Sequence, residues 1–193
     1  MALGGLDIGT SGCKCTIMTA GGELLASCYQ AYAVSRTASA HEVEGRVIWE
    51  AVRTVIAGAC AQSREPMTAL CVTSFGESCA LLDDQGRELG PILLYTDPRG
   101  QEQCDQLTEK LSEERIYDIC GHRPNPTYFL PKLMWFRQNQ PELYEKIRYV
   151  LPVNAYIVFR LTGEAVADYS LAARTMMLDI RTRDWSAELL EAA

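Results

Sequence analysis

The sequence predicts an α/β fold in which hairpins and helices follow one another without strict βαβ alternation. Three observations predict it. Three apolar runs of strand length open the chain, separated by glycine-bearing turns. A long segment with apolar residues at helical spacing follows them. Short apolar runs then alternate with further helical stretches to the end of the chain. With 193 residues and no low-complexity linker, the chain reads as a single domain over residues 1–193.

The elements follow in order. Leu3–Thr10 and Cys13–Thr19 are apolar runs that read as two strands, and Glu23–Tyr32 is a third with partial alternation. Gly21-Gly22 between the last two is a hairpin signal, so the start reads as an antiparallel meander. Val47–Gln62 places Val47, Ile48, Ala51, Val55, Ile56 and Ala59 on one helical face. Thr68–Phe75 reads as a buried strand. Cys79–Asp83 reads as another, turning at Asp84-Gln85-Gly86, and Pro91–Tyr95 as a third. Gln101–Leu111 and Glu113–Cys120 read as helices. Pro131 is expected at the first position of a helix running to Gln138, where it forfeits no intrahelical hydrogen bond. Pro141–Ile147 reads as a helix, Arg148–Leu151 as a short strand, Val153–Leu161 as a buried helix and Ser186–Ala193 as an amphipathic one.

Composition narrows the function classes. The chain is 48% hydrophobic, enough for a sizeable core, and no long block of like charge suggests disorder. A net charge of −7 without a basic stripe argues against nucleic acid and against anionic lipid as partners. The most apolar stretch, Val150–Phe159, is interrupted by Pro152 and Asn154 and falls short of the roughly 20 residues of a membrane span. Asp7 breaks the N-terminal apolar run and no basic segment precedes it, so no signal peptide is expected. None of the eight cysteines forms a C-x-x-C pair, which reads as reduced thiols in a cytoplasmic protein. His41 and His122 read as polar loop residues. Trp49, Trp135 and Trp185 read as core, as does Met176-Met177.

Three loops carry the chemistry. In Asp7-Ile8-Gly9-Thr10-Ser11-Gly12-Cys13-Lys14, Gly9 and Gly12 allow a tight turn with exposed N–H groups, a concave site for an anion. Thr10 and Ser11 add hydroxyls, Lys14 a cation, and Asp7 a carboxylate suited to a hydrated Mg²⁺. The spacing is neither that of a Walker A loop nor G-x-G-x-x-G, and on composition alone a plain hairpin turn is the better account of it. Thr73-Ser74-Phe75-Gly76-Glu77-Ser78 sets a carboxylate among small hydroxyl residues, which suits a polyol or a solvated turn. In Tyr95-Thr96-Asp97-Pro98-Arg99 an aromatic ring stands beside two charges, as in sugar sites, though Asp97 and Pro98 also read as a helix start.

Taken together, these motifs resemble a known family. Leu6-Asp7-Ile8-Gly9-Thr10-Ser11-Gly12-Cys13-Lys14 resembles the opening of the FGGY carbohydrate kinases. Ala80–Gly86 resembles their second hairpin, Tyr95–Arg99 their W-x-D-x-R segment, and Leu130–Trp135 their A-P-K-L-x-W helix. Leu161–Glu164 with Asp168–Ser170, then Ala173–Ile180 and Asp184–Ser186, resemble the stretches that follow in order. The resemblance implies a ribonuclease-H-like, actin-like ATPase lobe with a mixed sheet flanked by helices. It implies an ATP- and Mg²⁺-dependent kinase acting on a hydroxyl of a small sugar or polyol, with a xylulose-type ketose as the default. By it, Asp7 is the Mg²⁺-side carboxylate, and Gly9, Thr10, Ser11, Gly12 and Lys14 are phosphate contacts. Glu77, Tyr95, Asp97 and Arg99 fall on the sugar side. The family's catalytic base and adenosine pocket lie downstream of the matched part. The chain is thus expected to be an N-terminal lobe, inactive by itself. A non-catalytic sugar- or partner-binding module is the alternative. A homodimer is expected if helix Ser186–Ala193 leaves its apolar face uncovered.

Overall fold

β1 (Ala2–Ile8), β2 (Gly12–Thr19) and β3 (Leu24–Ala31) form the antiparallel meander that the sequence predicts. The computed structural model describes residues 1–193. Burial alternates along β1, so Ala2, Leu6 and Ile8 face the core while Leu3, Gly5 and Asp7 face outward. Two-residue β4 (Ser35–Arg36) and three-residue β5 (His41–Val43) lead into α1 (Gly45–Gln62). The chain then returns as β6 (Met67–Ser74), parallel to β1, which makes the sheet mixed with order β3-β2-β1-β6. The other edge of β6 pairs with no strand.

α1 lies across the inner face of this sheet, burying Ile48, Val52 and Val55 completely. Each such side chain contributes about 1.5–3 kcal/mol of burial. Its first turn is capped from a distance: Glu88 Oε2 accepts the Arg46 N–H at 3.1 Å. Gly45 makes room for that carboxylate, since a Cβ there would lie 2.8 Å from it.

β7 (Cys79–Leu82) follows β6 and is buried on both faces. Ala80 and Leu82 enter the core beneath the first sheet, whereas Cys79 and Leu81 enter a second core. β7 is therefore the seam between two layers. β8 (Ile92–Leu93) joins β5 at the edge of the small sheet β4-β5-β8. α2 (Gln101–Leu111), α3 (Glu113–Cys120), α4 (Phe129–Asn139) and α5 (Pro141–Tyr144) follow. β9 (Tyr149–Pro152) pairs antiparallel with β7, and α6 (Val153–Thr162) passes back under the first sheet. α7 (Tyr169–Ala173), β10 (Leu178–Asp179), β11 (Asp184–Trp185) and α8 (Ala187–Ala192) complete the chain. The second core gathers Leu107, Ile116, Phe129, Met134, Met176 and Leu189.

The structure departs from the sequence reading in several places: β6, read as a buried strand, has no fully buried residue, and the Pro141–Ile147 helix ends at Tyr144. The first strand stops at Ile8 because Gly9–Ser11 turn the chain. Pro131 is the third residue of α4, not its first; the N–H it lacks has no intrahelical acceptor there either. The Pro91–Tyr95 strand shrinks to Ile92–Leu93. Trp185 is not core but about half exposed, on a two-residue strand with few neighbours to cover it. Finally, most of the apolar side of the last helix is covered: Leu189 is fully buried and Ala193 nearly so, which leaves Leu190, 42% exposed, as the one large apolar side chain there open to a dimer partner.

Candidate functional site

β1 and β6 run parallel and end side by side, Ile8 opposite Ser74. The turn after β1 and the loop after β6 therefore leave the sheet at one edge, the carboxyl edge at which open α/β sheets bind ligands.

The first turn is tightly made. Gly9 N–H donates to the Gly12 carbonyl at 2.9 Å, and the Tyr32 hydroxyl donates to the Gly9 carbonyl. Tyr32 N–H donates to the Ser11 carbonyl at 3.1 Å. Burial raises the Tyr32 pKa, so this phenol stays a donor at every physiological pH. Gly12 fits because β3 passes close: a Cβ there would stand 2.8 Å from the Gln30 carbonyl and against the Tyr29 hydroxyl. Asp7 is in register with Lys14 on β2 and with Thr73 on β6, and all three are exposed on the outer face. Thr10 is half-buried and Ser11 exposed. A carboxylate, a cation and hydroxyls thus surround one turn. Asp7 belongs to no cluster of three or more acidic, His or Cys ligands, which fits Mg²⁺ that keeps most of its waters, not a cation caged by protein.

The second loop carries Glu77 in the left-handed region, at φ 61°. Its side chain is 11% exposed and forms an ion pair with Arg174. The Arg174 guanidinium lies 5.2 Å from the centre of the Tyr128 ring, and Tyr128 stacks on His122 at 4.8 Å. Burial and then the Arg174 charge push the His122 pKa down, so its imidazole is neutral near pH 7. The adjoining Ser78 hydroxyl is buried without a hydrogen-bond partner. Lys132 lies below, fully buried, donating to the carbonyls of Pro126 at 2.5 Å and Thr127 at 3.0 Å. Burial lowers its pKa to about 8, against the pull of Asp97, Cys79 and Glu77.

The third segment is braced from within. Asp97 Oδ1 accepts the Arg99 backbone N–H at 3.0 Å and Nε at 2.8 Å. Its Oδ2 accepts the His41 N–H at 2.7 Å and Arg99 Nη2 at 2.6 Å. Burial opposes ionisation of Asp97, but these donors outweigh it and hold the carboxyl below its usual range. Arg99 also bridges to Glu42 at 2.5 Å and lies over the Trp135 ring at 5.1 Å. Asp97 and Arg99 are thus occupied with each other and with β5, while Tyr95 remains 38% exposed.

The sequence reading did not single out Arg174, Lys132, Ser78 or Tyr128. Arg174 lies 97 residues from Glu77, so no local spacing links them. The completely buried lysine carried a signal, since a charge in an apolar helix requires a reason.

A mixed sheet that opens with this meander, crosses through a helix and presents a Gly-Thr-Ser turn beside an acid defines an actin-like ATPase lobe. The particular family follows from comparison. The model for the FGGY family of carbohydrate kinases, N-terminal domain, matches residues 2–193, and the chain belongs to that family. It is 34% identical over 190 residues to a xylulose kinase of Escherichia coli (strain K12), covering 97% of this chain and 39% of that protein. It is 34% identical over 148 residues to an L-fuculokinase of the same strain, covering 74% of this chain and 31% of that one. A crystal structure of a xyloylose kinase from Brucella ovis superposes with a TM-score of 0.91 at 30% identity, covering 99% of this chain and 40% of that one. The chain thus spans about 39% of the length of its xylulose kinase relative.

Proposed function

We propose that this chain is the sugar-side lobe of a kinase that transfers the γ-phosphoryl of ATP to a hydroxyl of a small sugar or polyol. A xylulose-type ketose is the default substrate. The observation that carries the reading is the shared edge: the Gly9–Gly12 turn and the Glu77 loop leave adjacent parallel strands. A phosphate held at the first would lie near a sugar held at the second. Phosphoryl transfer is largely positioning and charge stabilisation, which this edge supplies in part. Asp7 would hold a hydrated Mg²⁺, and Gly9, Thr10, Ser11, Gly12 and Lys14 the phosphates. Glu77 and Tyr95 would hold the sugar, with Asp97 and Arg99 bracing the segment that carries Tyr95. The base that takes the hydroxyl proton and the adenosine pocket would belong to the further length that the relatives have. The setting is the cytoplasm, and a homodimer would need more surface than α8 leaves open.

The test is an ADP-release assay with a panel of ketoses and polyols. It compares the 193-residue chain with the whole gene product that carries it. Sugar-dependent ADP release by the latter, and none above background by the former, is the expected result. Sugar binding without ADP release in both would instead establish a non-catalytic module. Normal turnover by the 193 residues alone would refute the division of labour.

A further inference from the structure

The Glu77–Arg174 ion pair uses only half of each partner. Arg174 Nε donates to Glu77 Oε1, and Nη2 rests on that same oxygen. Oε2 of Glu77 and Nη1 of Arg174 take part in no hydrogen bond within the chain. An acceptor and a donor are therefore left free side by side, on a pair whose charges cancel. Arg174 is 41% exposed, so its free nitrogen is reachable, and the Tyr128 ring limits how its guanidinium plane can turn.

The nearby cations are buried out of a ligand's reach or already paired. His122 is neutral, its pKa lowered by burial and by Arg174 itself. The Lys132 ammonium is spent on two backbone carbonyls. Arg99 is neutralised by Asp97 and Glu42. A ligand carboxylate would find Lys132 out of reach, Arg99 held by two carboxylates and the Glu77 carboxylate facing it.

We propose that Arg174 is a specificity-determining residue, and that the Glu77–Arg174 pair reads a neutral vicinal diol. Glu77 Oε2 accepts a hydrogen bond from one hydroxyl, and Arg174 Nη1 donates to the oxygen of the next. The inference rests on the sugar-side reading of Glu77 and adds the substrate class: an uncharged polyol or ketose, not a sugar acid.

The test is nitrogen-15 NMR of the arginine Nε–Hε groups, with the Arg174 resonance assigned by its loss in Arg174→Lys. The chain is titrated with xylitol, D-xylulose and D-gluconate. The expected result is a saturable shift of the Arg174 resonance with the two neutral probes and binding of gluconate at least about tenfold weaker, because its carboxylate meets that of Glu77 with no accessible cation to offset it. Arg174→Lys weakens the neutral probes by about tenfold or more, while amide resonances away from Glu77 and Tyr128 keep their wild-type positions, which shows that the variant is folded. Saturable binding of neutral sugar with an unmoved Arg174 resonance, or gluconate binding as tight as xylitol, overturns the inference and leaves the sugar-side reading standing. If no probe shifts any resonance of the chain, the sugar-side reading itself falls, and this inference with it.

Discussion

Lys132→Met separates the cost of a buried charge from the value of the bonds it makes. The ammonium is completely buried in α4, and its pKa falls from 10.5 to about 8, with burial as the leading cause. The unfolded chain therefore binds more protons than the folded one between those two values, and stability rises with pH across that window. At about 1.4 kcal/mol per pH unit, the wild type gains roughly 2.5 kcal/mol from this group between about pH 7 and pH 10. Methionine fills similar volume without the charge, but leaves the Pro126 and Thr127 carbonyls without their donor, at about 1–3 kcal/mol each. Near pH 7 relief and loss nearly cancel. Toward pH 10 the wild type has shed its penalty and the variant keeps only the loss. Other groups titrate in this range, Cys79 among them, but they are common to both chains, so the difference between the chains isolates the lysine. Urea unfolding of both proteins at several pH values under reducing conditions measures it. Two stability curves that stay parallel to within about 0.5 kcal/mol would refute the buried-charge argument.

Other substitutions follow the same logic. Asp97→Asn removes the charge and one of the two oxygens that accept from Arg99 and the His41 N–H, and should cost about 3 kcal/mol in urea unfolding, since it breaks a buried ion pair. The depressed Asp97 pKa also means that its contribution is complete above the ordinary carboxylate pKa and disappears as pH falls through the folded value; the variant should lose that part of the acid limb. Gly12→Ala drives a methyl group against Tyr29 and the Gln30 carbonyl, so it should destabilise by about 1–3 kcal/mol and displace the first turn, with weaker phosphate-dependent shifts in amide NMR. Leu189→Ala should cost about 2–4 kcal/mol and raise hydrogen exchange in α8, because that side chain anchors the last helix in the second core.

Legibility in the sequence tracks how local the cause is. The meander and α1 were readable because a period of two or of 3.6 shows within a short window, and β7 because a short continuous apolar run ends at a turn. β4, β10 and β11 were not, since strands of two residues have no period, and five-residue α7 is held by its Asp168 cap, which accepts the Leu171 N–H at 3.1 Å. The turn at Gly9–Gly12 was readable from its glycines. The environment of Glu77 was not, because its partner arrives from the far end of the chain. Asp97 and Arg99 were recognisable as polar residues of a site. That they satisfy one another depends on β5, which brings in His41 and Glu42 from more than fifty residues away.

The bare edge of β6 has a consequence for the chain in concentrated solution. Met67–Ser74 contains neither a charge nor a proline, the two devices that commonly blunt such strands. Its outward row of N–H and C=O groups is a template for any extended backbone, a second copy of the same strand included. Samples of these residues should thus thicken into intermolecular sheet as concentration rises, beginning at this strand. A lysine in place of the exposed Ala69 would act as a gatekeeper, with the core left untouched.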